Sequence, residues 1–294
     1  MKDNILLRNR PRARAFVLTV FLALTAFVLY GVMVEPRQLN EVRHDVTMAA
    51  WPSQCDGLRV DLVSDTHTGS LNNGIDNLDR LVNKLIADDS DIVVLAGDYV
   101  ILSVLGGTFV NGKTVAKHLA PLTQHKPVYA VLGNHDWWKG GLELARHLGA
   151  AGVRVIDNRA VKLSHGSCKF WLVGIGDLDE GHPDIPFAMA QTQPDPSLPI
   201  IALTHNPKTF PQIPARVPLT LTGHTHGGQI QLPFDLYPTF WLKFGTERRY
   251  IDGLYQDEAS GKQLFVTRGI GTSIVPIRLG VPPEISQLTL RSKK

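Results

Sequence analysis

An α/β fold of two packed, mixed β-sheets flanked by helices, preceded by one N-terminal transmembrane helix, follows from three observations on this 294-residue chain. The first half alternates strand-like and helix-like segments. The second half is rich in short strands. Ahead of both stands an uncharged apolar run of 20 residues, 15 to 34.

The alternation begins with "LRVDLVSD" (58–65), whose apolar residues recur every second position, as in a strand. "IDNLDRLVNKLIADD" (75–89) then places Ile75, Leu78, Val82, Leu85 and Ile86 on one helical face. "DIVVLAGD" (91–98) and "PVYAVLGNHD" (127–136) contain continuously apolar runs, the pattern of strands covered on both sides. "GKTVAKHLAPL" (112–122) predicts a helix stopped near Pro121, and "GLELARHLGAAG" (141–152) a helix with a glycine stop. The order β-α-β-α-β-α implies a sheet covered by helices. Further strands are predicted at "VRVI", "AVKLS", "KFWLVGI", "PIIALTH", "PLTLTG", "GQIQL", "KQLFVTR" and "EISQLTL". No linker divides the halves, so residues 57–294 read as one domain. Residues 35–56, polar and with Pro36 and Pro52, read as a linker.

The net charge of +3 conceals an asymmetry. Residues 1–14 form a basic flank with Lys2, Arg8, Arg10, Arg12 and Arg14 against Asp3, whereas the remaining chain sums to −1. A general nucleic-acid-binding surface is therefore not expected. A helix over "AFVLTVFLALTAFVLYGVMV" (15–34) would span roughly 30 Å, the thickness of a bilayer core. Its apolar stretch is longer than that of a cleaved signal, and no Ala-x-Ala site follows it. The reading is an uncleaved single-pass anchor in a bacterial inner membrane, basic flank in the cytoplasm, domain on the periplasmic or extracellular side. Cys55 and Cys168 lack metal-site spacing; on the outer side they could pair or remain free.

Chemistry-bearing residues gather where apolar strands end. Ser64-Asp65-Thr66-His67 follows the first strand, Gly97-Asp98 the second, and Gly133-Asn134-His135-Asp136 the third. Thr204-His205-Asn206 and Gly223-His224-Thr225-His226-Gly227-Gly228 close two later ones. Alone, Asp65 or Asp98 is an ordinary turn or cap residue, and Asn134 a turn former. In sheets of this kind ligands bind beyond the carboxyl ends of the strands, so five ends deliver these side chains to one rim. His118, His125, His147, His165 and His182 have no such placement.

In this order, "DTH", "GD", "GNHD", "H" and "GHTH" resemble the signature of the calcineurin-like metallophosphoesterases, over nearly all of residues 57–294. "GHTHGGQI" and the late "VPPEISQLTL" are similar to its membrane-anchored bacterial branch. The resemblance implies a metallophosphoesterase-like sandwich and a two-metal site. In it Asp65, His67, Asp98 and His226 hold one ion, and Asp98 bridges to a second that Asn134, His205 and His224 complete. Imidazole with carboxylate suits Mn, Fe or Zn. It also implies that His135 faces the substrate as the charge-stabilising or proton-donating group. Asp136 either orients His135 or caps a helix.

Departures narrow the substrate. Protein phosphatases of this superfamily resemble "GDxVDRG" and "GNHE", whereas this chain reads "GDYVILS" and "GNHD", without the arginine near residue 102. A metallo-β-lactamase motif needs an Asp where Gly228 stands. The implied activity is hydrolysis of a phosphodiester or phosphomonoester. A runner-up implied by the anchored branch is a lipid-linked substrate, UDP-2,3-diacylglucosamine, cleaved at its pyrophosphate in lipid A biosynthesis. A non-catalytic metal-binding protein is the third reading, disfavoured by the complete ligand set. "LPFDLYPTFWLKF" (232–244), with Phe234, Leu236, Tyr237, Phe240, Trp241, Leu242 and Phe244, suits a membrane-lipid interface, a lid or core packing.

Overall fold

A computed structural model describes residues 10–232 and 249–293. Residues 1–9 of the basic flank, and all but the first residue of the aromatic segment 232–244, lie outside the described residues. Helix α1 (Arg10–Met33) is 24 residues long, about 36 Å. Its apolar side chains from Phe16 to Val28 face away from the protein. Thr19 and Thr25 donate their hydroxyls to Ala15 O and Phe21 O, so neither needs water.

The next residues correct the linker reading. After a 3₁₀ turn (Glu35–Arg37), the chain forms β1 (Asn40–Met48). β1 pairs in parallel with β12 (Glu284–Ser292), from Asn40 opposite Glu284 to Met48 opposite Ser292. Charged residues mask the strand in the sequence because it lies at an edge: only Val46 and Met48 are buried. The junction with α1 is also fixed. Gly31 O accepts from Arg278 N at 3.0 Å. Val32 O accepts from the Asn72 amide at 2.7 Å, and the Glu35 carboxylate takes the N–H groups of Gly280 and Val281.

β1 and β12 join β2 (Leu58–Val63), β3 (Ile92–Ala96), β4 (Val128–Val131) and β5 (Arg154–Val155) in a six-stranded sheet ordered β1-β12-β2-β3-β4-β5. The second sheet contains β6 (Arg159–His165), β7 (Cys168–Gly174), β8 (Ile200–Leu203), β9 (Leu219–Thr222), β10 (Gly253–Gln256) and β11 (Gln263–Val266), ordered β10-β11-β9-β8-β7-β6. Both are mixed: β2, β3 and β4 run parallel, as do β7, β8 and β9, with β12 and β6 antiparallel to their neighbours β2 and β7. The inner faces close on one apolar layer that includes Val60, Leu62, Val94, Val131, Leu172, Leu203, Leu221 and Phe265. Outside the first sheet lie α2 (Ile75–Ala87), α3 (Gly112–Thr123) and α5 (Gly141–Ala150), which bury Leu78, Leu81, Leu85, Leu119, Leu122 and Leu148 against it. This two-sided cover is why β3 and β4 are apolar at every position.

The expected helix stop near Pro121 holds, one strand expectation is corrected, and two short elements are added. α3 continues two residues past Pro121, because proline's own ring blocks only the turn behind it. "GQIQL" forms only an isolated bridge between Ile230 and Leu279 among the described residues. β10, with alternate residues exposed, and the short α6 (Ile185–Ala190) carry too little periodic signal to be predicted.

Cys55 and Cys168 form a disulfide, with Cα atoms 4.6 Å apart, across a sequence separation of 113. Both are buried in the inter-sheet layer beside Trp51 and Phe170. Closing so long a loop restricts the unfolded chain strongly. Replacing both cysteines by alanine is expected to lower unfolding free energy by about 2–5 kcal/mol. Urea denaturation of wild-type and double-variant protein checks this; an unchanged midpoint contradicts a structural bridge.

Candidate metal centre

The parallel strands β2, β3 and β4 end side by side, and β8 and β9 end facing them from the second sheet. The loops that follow are knitted by backbone bonds, Asp65 N to Gly97 O at 2.9 Å, His67 N to Asp98 O at 3.0 Å, and Gly223 N to His205 O at 3.1 Å. Asp65, His67, Asp98, His224 and His226 all have positive φ, between 37° and 72°. For non-glycine residues such backbone costs roughly 1 kcal/mol or more each and clusters at functional sites. Glycine is required where the loops touch. A Cβ at Gly223 would lie 1.9 Å from Ser64 Oγ, and one at Gly133 would lie 2.2 Å from Asp98 Oδ1.

Six of the seven ligand candidates fall into close groups and Asn134 lines the same cleft; all are buried except His224, which is partly so. Three groups each hold ligand atoms within 4.8 Å of one another: Asp65, His67 and His226; Asp98, His205 and His224; and His67, Asp98 and His135. Asp98 Oδ2 stands between the first two, 3.4 Å from His67 Nε2 and 3.3 Å from His205 Nε2. Its other oxygen is occupied, accepting His135 N–H at 2.9 Å. Oδ2 is therefore the Asp98 oxygen left open to both groups of donors.

Proton positions make this cluster fit a cation. His67 Nδ1 faces Val100 O at 3.2 Å, His205 Nδ1 faces Ala96 O at 2.6 Å and His226 Nδ1 faces Gly271 O at 3.2 Å. Carbonyls only accept, so each Nδ1 carries a proton, and in the neutral ring each Nε2 turns a lone pair inward. His67 Nε2 and His226 Nε2 are 3.1 Å apart. Two lone pairs at that distance repel unless positive charge lies between them. Asp65 Oδ1 and Asn134 Oδ1 are buried without hydrogen-bond partners, and Asp65 Oδ1 lies 3.4 Å from His226 Nε2. Burial drives the His67 imidazolium well below its usual range, and pushes His224 and His226 down to about 4, which keeps them neutral ligands at neutral pH. Burial acts the same way on His205, but the charge of Asp98 and Asp65 outweighs it and lifts that imidazole. The same field attracts a metal ion.

His135 and Asp136 begin the short helix α4 (Asn134–Trp138). The His135 ring lines a cleft of ≈ 260 Å³ together with Leu102, Trp138, Gln229, Ser273 and Ile274. Its Nδ1 accepts the Leu102 N–H at 3.2 Å. The Asp136 carboxylate turns to backbone rather than to this ring: it takes the N–H groups of Asp98 (2.8 Å), Tyr99 (2.9 Å), Gly133 (2.9 Å) and Val100 (3.3 Å). It holds the Asp98 loop and the start of α4, so the capping alternative describes it and the His135-orienting one does not.

Sequence reasoning missed Arg278. It is fully buried, donating to Gly271 O, Val281 O and Arg268 O at 2.7, 3.0 and 2.9 Å. Gly271 O is the carbonyl that fixes His226. An arginine inside the apolar "VPIRLG" was the one available signal.

Residues 58–228 match the family model of the calcineurin-like phosphoesterases. The chain is 32% identical to the phosphodiesterase YaeI of Escherichia coli over 70% of its own length and 72% of that protein's. It is 29% identical to the uncharacterized metallophosphoesterase YkuE of Bacillus subtilis over 95% and 97% of the two chains. It is 27% identical to a transmembrane protein with metallophosphoesterase domain from Danio rerio, over 96% of this chain and 63% of that one.

Asp98→Asn removes the charge at the shared oxygen. Metal bound per chain, measured by mass spectrometry of the purified protein, is expected to fall below that of wild type. Full metal content in the variant contradicts a bridging Asp98.

Proposed function

The chain belongs to the calcineurin-like phosphoesterase family and is a metal-dependent hydrolase of phosphoric ester bonds; on that premise we propose a membrane-anchored, two-metal phosphoesterase acting outside the cytoplasm. The observation that carries this reading is Asp98 Oδ2, shared between two groups of inward-facing donors. Asp65, His67, Asp98 and His226 would hold one divalent ion, and Asp98, Asn134, His205 and His224 the other. Mixed imidazole and carboxylate donors suit Mn, Fe or Zn. Such a pair supplies Lewis acidity to the phosphoryl oxygens and a water-derived nucleophile near neutral pH.

The chain's own side chains do the rest. His135 Nδ1 accepts an N–H, so the neutral ring carries its proton on Nε2, available to a phosphoryl or leaving-group oxygen. Leu102 N–H fixes that tautomer. The cleft admits a phosphate ester between His135 and the ligand cluster. A phosphodiester is the first substrate to test, because the relative YaeI is named a phosphodiesterase.

Three features support the anchored, outward-facing placement in a bacterial inner membrane. α1 is long and apolar enough to span a bilayer. The N-terminal flank is basic. The buried Cys55–Cys168 bridge suits an oxidising compartment. That bridge weighs against UDP-2,3-diacylglucosamine as substrate, since this precursor belongs to the cytoplasmic face.

His135→Ala is expected to retain both metals and to lower kcat on a chromogenic phosphodiester by roughly 10²–10⁴-fold. Paired metal analysis and steady-state kinetics check it. A variant that loses metal instead makes His135 a ligand, and one with wild-type kcat removes it from the chemistry.

A further inference from the structure

Outside α1 and its junction, the exposed large apolar side chains are Leu102, Leu105, Phe109, Trp138, Leu142, Phe187, Leu254 and Ile274 among the described residues. Three of the eight line the cleft, a fourth, Leu105, is bonded to it, and a fifth, Phe109, lies on the same loop as Leu102 and Leu105 and lines a separate cavity. The three lining the cleft are Leu102, Trp138 and Ile274. Leu105, 73% exposed at the tip of its loop, is held against Ile274 by its N–H to Ile274 O at 3.4 Å. Phe109 closes the same loop, with Lys139 Nζ 5.1 Å above its ring. A single exposed leucine needs no explanation, but a cluster at a catalytic mouth does.

Its position relative to α1 supplies one. The 273–275 segment is the start of a loop whose Arg278 N–H bonds Gly31 O, where Gly31 packs against Ile277 and Leu279. Four residues from Ile274 to Arg278 reach at most about 14 Å. The 101–109 loop is tied to α1 by a second route. Thr108 N bonds Gly69 O, Gly106 packs on Leu71, and the next residue, Asn72, bonds Val32 O at 2.7 Å. Both apolar loops are thus one short, hydrogen-bonded connection from the end of the spanning helix. Arg37, bonded to Asn72, and Lys139, over Phe109, place cations beside them, where lipid phosphates lie.

We infer that this face is a bilayer-docking surface, and that the substrate is an amphiphile whose phosphoester reaches the metal centre while its hydrocarbon stays in the membrane. Leu105 and Phe109 enter the interface, and Leu102 and Ile274 carry the apolar lining from the bilayer to the cleft. The inference rests on the anchored phosphoesterase reading above and adds the substrate class.

The test uses full-length, Mn-loaded protein in vesicles of phosphatidylcholine and phosphatidylglycerol. Hexadecyl 4-nitrophenyl phosphate embedded in the vesicles and methyl 4-nitrophenyl phosphate in solution share one leaving group. The double variant Leu105→Glu, Phe109→Glu is expected to lose about tenfold or more in kcat/KM on the hexadecyl ester, the scale of one buried leucine. Its rate on the methyl ester stays unchanged. Equal loss on both esters, or none on either, overturns the proposal. A second readout does not need catalysis. Because no free cysteine occurs among the described residues, Leu105→Cys offers one thiol there for an environment-sensitive fluorophore. Quenching by brominated lipid supports docking, and its absence overturns docking whatever the activity. Quenching without hydrolysis of either ester under Mn, Fe or Zn keeps the docking surface and removes the phosphoesterase reading.

Discussion

One carboxylate oxygen organises this molecule. Asp98 Oδ2 lies at the meeting point of two rings of donors, and nearly every local oddity around it keeps it there. Asp136 takes the Asp98 N–H, and the His135 N–H occupies the other Asp98 oxygen. Gly133 has no side chain because Asp98 fills the place where a Cβ would stand. The backbone at Asp65, His67, Asp98, His224 and His226 is held left-handed. The two packed sheets hold these strained loops in place. A single flexible loop could not keep five such residues within a few ångströms of each other.

Much of this was legible in the sequence, for a physical reason. Strand direction alternates burial with a period of two, and the residue after the last buried position must leave the core. Polar, metal-capable side chains at five such exits are therefore visible in the sequence, and the fold gathers them at one rim. The elements α2, α3, α5, β3 and β4 were legible because burial on one face or both imposes a strict apolar pattern. What escaped was set by tertiary partners. β1 is an edge strand with few buried residues, so its charged sequence resembles a linker. Arg278 is buried only because four nearby carbonyl oxygens, those of Arg268, Gly271, Val281 and His226, satisfy it through five hydrogen bonds. Asp136 follows His135 in sequence, yet helix geometry turns its carboxylate toward the β3 loop instead.

Helix α1 and the site share parts. Glu35, directly after α1, fixes the N–H groups of Gly280 and Val281. Val281 O binds Arg278, and Arg278 binds the carbonyl that sets the tautomer of His226. The end of α1 is therefore part of the wall that supports His226, and a freely swivelling tether would not need these bonds. The disulfide on the far side of the sandwich ties the two sheets whose strand ends must stay in register.

The central claim is a pair of ions sharing Asp98. Electron paramagnetic resonance of the Mn(II)-loaded protein tests it most directly, because two Mn(II) ions joined through one oxygen couple magnetically. The account predicts two Mn(II) per chain and the multiline spectrum of a coupled pair. A spectrum of magnetically isolated ions at saturating Mn(II) contradicts it.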